Sequence, residues 1–270
     1  MNRWLLRSAL LLALAAPALA APNPYGLNLT WDQCHGDGGT ANRQFACNTN
    51  SGFESLVTSF VVDQQIQDIA AVEMFLDIAS ESPALPAWWS MKNAGTCRPT
   101  ALSFTVTPPN PASAVCFDWS NGLASAGIGY YNIGVAGPNT VKMAAVAAVP
   151  QGLGLVADAG VQYFTGSFRI SHTKTVGLGA CTGCQVPVCI LYSYLRLYVN
   201  TGGSTTIHRV LNTPANTPNS QVATWQSGQV LGLQPNCDPF TGVCSASFIC
   251  ATQPVDSRRN TWGAVKSLYR

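Results

Sequence analysis

Ten cysteines follow an N-terminal export signal, and this combination limits what the chain can fold into more than any other feature. Arg3 and Arg7 give a basic start, and residues 8–16 form an apolar run too short to span a bilayer. Ala18-Leu19-Ala20 has the small-x-small form that signal peptidase cleaves. The two arginines are not adjacent, so the sequence predicts general secretion rather than the twin-arginine route. Residues 1–20 are therefore expected to be a signal peptide. Cys34, Cys47, Cys97, Cys116, Cys181, Cys184, Cys189, Cys237, Cys244 and Cys250 then all belong to the exported part. An even set of cysteines in an oxidising compartment is expected to pair as disulfides. The expected location is the periplasm, the outer surface or the extracellular medium.

Clustering in the sequence suggests the pairing. Cys34 with Cys47 would close a loop rich in Gly and Asn, and Cys97 with Cys116 would clip the loop containing Pro108, Pro109 and Pro111. The remaining six form two late groups, for which one short bridge in each and one cross-link from Cys189 to the 237–250 segment are expected. Each bridge contributes about 2–4 kcal/mol, mainly by restricting the unfolded chain.

The run Cys181-Thr182-Gly183-Cys184 also fits a redox pair, or half of a zinc site with His172 or His208. A Gly-rich turn leads in and a strand leads out, so no helix dipole is available to acidify a thiol, and zinc would need a fourth ligand. A structural disulfide is the favoured reading.

Loss of Arg3 and Arg7 with the signal leaves twelve of the fourteen basic residues against twelve acidic ones. A formally neutral exported chain is not expected to bind nucleic acid. The apolar segment 141–149 is too short for a membrane span and suits a buried strand. No membrane span is expected after signal cleavage.

Period-two alternation dominates what remains. Val72, Met74, Leu76 and Ile78 alternate with Glu73, Phe75 and Asp77, and Leu102, Phe104 and Val106 alternate with Ser103 and Thr105. Residues 56–62, 130–135, 141–149, 161–170 and 188–199 read as further strands, with shorter candidates at 26–31, 207–211 and 222–226. Turn clusters rich in Gly, Pro, Asn and Ser separate them. About ten strands without a βαβ rhythm predict an all-β, antiparallel sandwich of jelly-roll type. The expected organisation is one disulfide-stapled domain over 21–253 and a tail over 254–270, in which Thr261 caps a short helical turn.

Few residues suggest chemistry. Asp32, His35 and Asp37 sit in a Gly-rich loop, but their spacing does not match the EF-hand and favours a turn held by Cys34. Glu73 and Asp77 share a strand face roughly 13 Å apart, too far for the acid and base of a glycosidase. Ser125, within residues 122–127, lacks the G-x-S-x-G spacing of a nucleophile elbow. Trp88 and Trp89, after Leu85-Pro86-Ala87, offer a stacking platform for sugar rings. Trp31, Trp119, Trp225 and Trp262 are read as packing residues. No catalytic signature or cofactor motif is found.

Several stretches together resemble a group of uncharacterised exported bacterial proteins. They are Leu29-Thr30-Trp31 before Cys34, Phe45-Ala46-Cys47-Asn48-Thr49-Asn50, Leu85-Pro86-Ala87-Trp88-Trp89 before Cys97, Cys181-Thr182-Gly183-Cys184 before Pro187-Val188-Cys189, Trp225-Gln226, and Thr261 through Arg270. The resemblance covers most of the exported chain and implies no activity. At the level of fold, the strand order is similar to cohesin-like and carbohydrate-binding jelly rolls. Such likeness does not confer function. The expectation is an exported, non-catalytic protein for protein binding, adhesion or envelope structure. A carbohydrate-binding module is the alternative and a secreted hydrolase comes below it. Its partner is expected to be a protein or polysaccharide at or beyond the cell surface.

Overall fold

The computed structural model describes residues 25–201, 204–211, 220–237 and 244–250. The signal expected at 1–20, the tail expected at 254–270 and the helical turn expected at Thr261 lie outside the described residues. Fifteen strands are described: β1 (Gly26–Trp31), β2 (Asn42–Arg43), β3 (Phe53–Val61), β4 (Ile66–Ser80), β5 (Leu102–Thr105), β6 (Cys116–Asp118), β7 (Ser125–Ile133), β8 (Thr140–Ala148), β9 (Leu155–Ala157), β10 (Gln162–Ser171), β11 (Val188–Thr201), β12 (Ser204–Leu211), β13 (Val222–Trp225), β14 (Val230–Cys237) and β15 (Cys244–Cys250). A smaller sheet runs β1-β3-β10-β5, with β6 added parallel to β10. A larger one runs β2-β13-β11-β4-β8-β7, with β12 beside β11 and β9 beside β4. β14 and β15 form a hairpin. All pairings are antiparallel except β6 with β10 and β2 with β13.

The two sheets pack face to face because alternation gives each an apolar side. Val72, Met74, Leu76 and Ile78 of β4 are at most 1% exposed, and they meet Leu56 and Phe60 of β3 and Phe168 of β10 in one hydrophobic cluster. At 20–33 cal/mol per Å2, burial on this scale is the main stabilising force of a sandwich. Gly166 follows a bulge in β10 and lies against Phe104 of β5. A Cβ on Gly166 would lie 2.0 Å from the ring, so only glycine lets β5 approach here.

One end of the sandwich is closed by aromatic packing. Pro86 leads into a single 3-10 turn, Ala87–Trp89, that plugs the space between the sheets. Trp88 stacks on Trp225 at 5.1 Å, while Trp89 meets Trp225 edge-on at 5.7 Å and Trp31 lies 5.8 Å from Trp225. All four indoles are fully buried. Neighbouring side chains on a 3-10 turn diverge by about 120° rather than the 180° of a strand, so both tryptophans of the pair can face inward. The sugar platform expected at Trp88 and Trp89 is therefore corrected: neither ring has a face open to a ligand. Trp119 is buried too.

Three described disulfides correct the expected pairing. Cys34 bonds Cys116, Cys47 bonds Cys184, and Cys97 bonds Cys181. The closures expected for Cys34 with Cys47 and Cys97 with Cys116 do not form, and Cys181 and Cys184 are not bonded to each other. Sheet topology is the reason. The loops 44–52, 81–101 and 172–187 all emerge at the end where β3 begins, β10 ends and β11 begins, so cysteines far apart in sequence meet there. Gly183, at φ +98°, turns the backbone between Cys181 and Cys184 towards separate partners. A Cβ there would also strike Pro86, at 2.1 Å. Cys189 is disulfide-bonded as well. The side chains of Cys237, Cys244 and Cys250 lie outside what is described, and so does the expected cross-link from Cys189. Among the described residues, no helix is long and apolar enough to cross a membrane.

Candidate binding cleft

The opposite end of the sandwich is open. β6 lies along the start of β10 in parallel register, Cys116 opposite Gln162 and Phe117 opposite Tyr163. Its three residues alternate: Cys116 is buried and bonded to Cys34, whereas Phe117 points outward at 45% exposure. The Ser113 hydroxyl accepts from the Cys116 amide at 2.9 Å and donates to Asp37 at 2.8 Å, fixing the strand at its entry. At its exit, Asp118 accepts from the Ser120 amide (2.9 Å), the Ser120 hydroxyl (2.7 Å) and the Gly122 amide (2.7 Å). This is an Asx-type turn, with Asn121 and Gly122 at positive φ.

The facing wall comes from the larger sheet. β9 pairs with the start of β4, Ala157 opposite Ile66, and leads into Asp158. The Asp158 amide donates to the Tyr163 phenol oxygen at 2.9 Å, and its carboxylate accepts from Gln65 at 2.5 Å. Burial raises the phenol pKa of Tyr163, and the Asp158 charge adds to that rise against the lowering effect of the amide hydrogen bond.

Between these walls lies a cleft of about 520 Å3, lined by Phe117, Asp118, Trp119, Asn121, Leu155, Val156, Asp158, Val161 and Tyr163. Val156 is 41% exposed, and the loops leaving β6 and entering β9 carry the exposed Leu123 and Leu153. Among the described residues, no Lys, Arg or His lines the cleft. The described ion pairs include neither Asp118 nor Asp158. Apolar side chains form the floor, and each wall carries one carboxylate, Asp118 on the β6 side and Asp158 on the β9 side. The Asp118 carboxylate is held by its own loop, and that of Asp158 by Gln65 of the loop between β3 and β4.

The sequence-predicted sites fall elsewhere. Asp32 pairs with Arg43 at 2.8 Å, and Asp37 lies near the sulfurs of Cys34 and Cys116, which are spent on each other. Glu73 pairs with Arg196 at 3.0 Å and accepts from the Tyr198 hydroxyl at 2.9 Å; Asp77 pairs with Lys142 at 3.2 Å and accepts from the Ser193 hydroxyl. Both acids serve the outer face of the larger sheet. Ser125 opens β7 and forms no elbow. His172 directs Nε2 to Glu54 at 3.0 Å and Nδ1 to the Ser51 carbonyl at 2.6 Å, while its ring stacks on Phe45 at 4.0 Å. Both nitrogens are engaged, and Cys181 and Cys184 carry disulfides, so these residues provide no zinc ligands. The side chain of His208 is not among those described.

Sequence reading missed Phe117, Asp118, Val156 and Asp158. The available signal was Cys116-Phe117-Asp118-Trp119-Ser120-Asn121-Gly122, in which an outward aromatic on a stapled strand precedes an Asx turn. Comparison of the chain with family models, with curated proteins and with solved structures gives no match.

Proposed function

We propose that the protein is a non-catalytic β-sandwich of the extracytoplasmic space that binds another protein through the cleft between β6 and β9. The exposure of Phe117 beside Val156 carries this reading. A fold that buries Trp31, Trp88, Trp89 and Trp225 completely holds an aromatic ring out on a strand anchored by a disulfide and two hydrogen bonds. Exposed aromatic and aliphatic side chains around a concavity are typical anchors of protein interfaces. The disulfides support an oxidising compartment. Engagement of both cleft aspartates by backbone and side-chain donors supports a binding role over acid–base catalysis.

Carbohydrate binding is the second reading. It is favoured by the open Phe117 ring beside the polar groups of Asn121 and Asp118, an arrangement on which a sugar can stack and hydrogen-bond.

The deciding experiment is retention of host envelope and secreted fractions on the oxidised protein, with Phe117→Ser as the paired variant. A recurrent protein retained by the parent and reduced at least several-fold by Phe117→Ser is the expected result. Equal retention by both would overturn the reading. Retained polysaccharide, displaced by free sugar and lost in the variant, would establish the carbohydrate reading instead.

A further inference from the structure

We infer that the outer edge of β7 pairs with β7 of a second copy of this chain, antiparallel about a two-fold axis, so that the larger sheets of two molecules become one. This contact lies outside the cleft and does not depend on what the cleft recognises.

The hydrogen-bond register identifies the backbone groups concerned. At the two ends of β8, the Val149 amide donates to the Ala70 carbonyl at 3.0 Å and the Thr140 carbonyl accepts from the Gly134 amide at 2.8 Å. Backbone groups alternate in direction along an antiparallel strand. β8 therefore turns Ala148, Val146, Ala144 and Lys142 towards β7, where Ser125, Gly127, Tyr130 and Asn132 stand opposite them. The N–H and C=O groups of Ala126, Ile128, Tyr131 and Ile133 face the other way, and no strand among the described residues pairs with them.

The other edges of the two sheets are shortened, covered or charged. β2, β5, β6 and β9 are two to four residues long, β1 gives its Leu29 amide to the Ser220 carbonyl at 2.6 Å, and β12 contains Arg209. β7 runs for nine residues without a charge or a proline, and a bulge between Ile128 and Tyr130 is its one protective feature. An edge of this kind is a template for another strand.

A second copy suits it on three grounds. Self-pairing of an uncharged strand sets no like charges against each other. Pairing of one edge with itself closes at two molecules, whereas pairing with a different edge would build an open chain. Across the larger sheet, Tyr194, Phe75, Ala144 and Tyr130 stand opposite one another, with Phe75 stacked on Tyr194 at 4.2 Å and 6.4 Å from Tyr130. This row reaches the edge at the half-buried Tyr130, and the two-fold brings two such rows end to end. Because β7 follows the Asx turn of the cleft, the dimer also holds two clefts in one body, which raises affinity for a divalent partner.

Sedimentation equilibrium of the oxidised protein across the micromolar range, with hydrogen exchange read on the 125–133 peptide, tests the inference. A mass twice that of one chain is expected at the upper concentrations, together with slowed exchange of the Ala126, Ile128 and Tyr131 amides that is lost on dilution. Ala126 is exposed, and Ala126→Pro removes an edge donor without removing a bond to β8. Ala126→Lys leaves the backbone intact and places an ammonium group on each side of the two-fold, so it decides the matter if the proline variant fails to fold. Each folded variant is expected to raise the dimer dissociation constant about tenfold or more. A single-chain mass at every concentration overturns the inference, and so does a dimer that both variants leave unchanged. Slowed exchange of β7 only after host envelope fraction is added would assign the edge to a strand of another protein and overturn it as well.

Discussion

At the scale of single residues, the molecule separates two kinds of aromatic side chain that look alike in the sequence. Trp88 is sealed in, with its indole N–H donated to the Thr175 hydroxyl at 3.0 Å and the Arg98 guanidinium 3.7 Å above its ring. Arg98 is itself buried, donates to the carbonyls of Trp88 (2.6 Å) and Ser171, and is depressed by desolvation to a pKa of about 10. Phe117 is nearly half exposed. Trp88→Ala should therefore cost about 3–5 kcal/mol, whereas Phe117→Ala should change stability by no more than about 0.5 kcal/mol. Denaturant unfolding of the oxidised protein measures both. A cost above 2 kcal/mol for Phe117→Ala would move that residue from the binding surface to the core.

At the scale of elements, the disulfides and loops decide which end of the sandwich is rigid. Cys47–Cys184 and Cys97–Cys181 both tie to the 172–187 loop, over the tryptophan cluster. Replacing Cys47 and Cys184 together by Ser should cost about 2–5 kcal/mol, read as a lower denaturation midpoint. The cleft is held instead by Cys34–Cys116 and by the Asx turn, so retention through Phe117 should survive that double replacement in the protein that remains folded. These elements also mark where the sequence was legible. The ten long or strongly alternating strands, from β1 to β13, were readable because period two is a local property of residues such as Val72, Met74, Leu76 and Ile78. β2, β6 and β9, of two or three residues each, carry too few positions for a period and exist only because a longer neighbour pairs with them. β14 was missed because Gly232, Pro235 and Asn236 interrupt its pattern, and β15 because its alternating residues, Ser245, Ala246 and Ser247, are small. The cleft is built from two of the short strands, β6 and β9, so the same limit that hid them hid the site. Disulfide partners escaped for a related reason: proximity of Cys181 to Cys97 is a property of how strands are ordered, not of how cysteines are spaced.

At the scale of the whole molecule, buried phenols set the response to alkali. Tyr131 and Tyr192 lie in the core, where burial raises both phenols well above the ordinary tyrosine range, and burial also raises Tyr130, Tyr163 and Tyr198. A phenol whose folded pKa is raised contributes stability that is complete below pH 10 and is lost as pH rises, since the unfolded chain releases its protons first. Arg98 acts in the opposite sense between about pH 10 and 12.5, where the unfolded state holds the extra proton, and one arginine offsets only part of the loss. Stability should thus fall steadily above pH 10. The tyrosinate absorbance contributed by Tyr131 and Tyr192 should rise in one cooperative step together with loss of near-ultraviolet circular dichroism. Ionisation of the full complement of tyrosines, Tyr131 and Tyr192 included, with the circular dichroism intact would contradict the packing.

Cys47–Cys184 spans 137 positions of the chain, and this has a mechanical meaning. A molecule anchored at one end outside a cell and pulled at the other transmits tension through the shortest covalent route. Here that route runs from the N-terminal strand to Cys47, across the bond to Cys184 and onward to Cys189. The intervening polypeptide, roughly 450–490 Å if drawn out straight, carries no load while the bond is intact. Phe117 and Val156 both sit inside that sheltered loop, so a contact made through the cleft belongs to the part of the chain that tension cannot unravel.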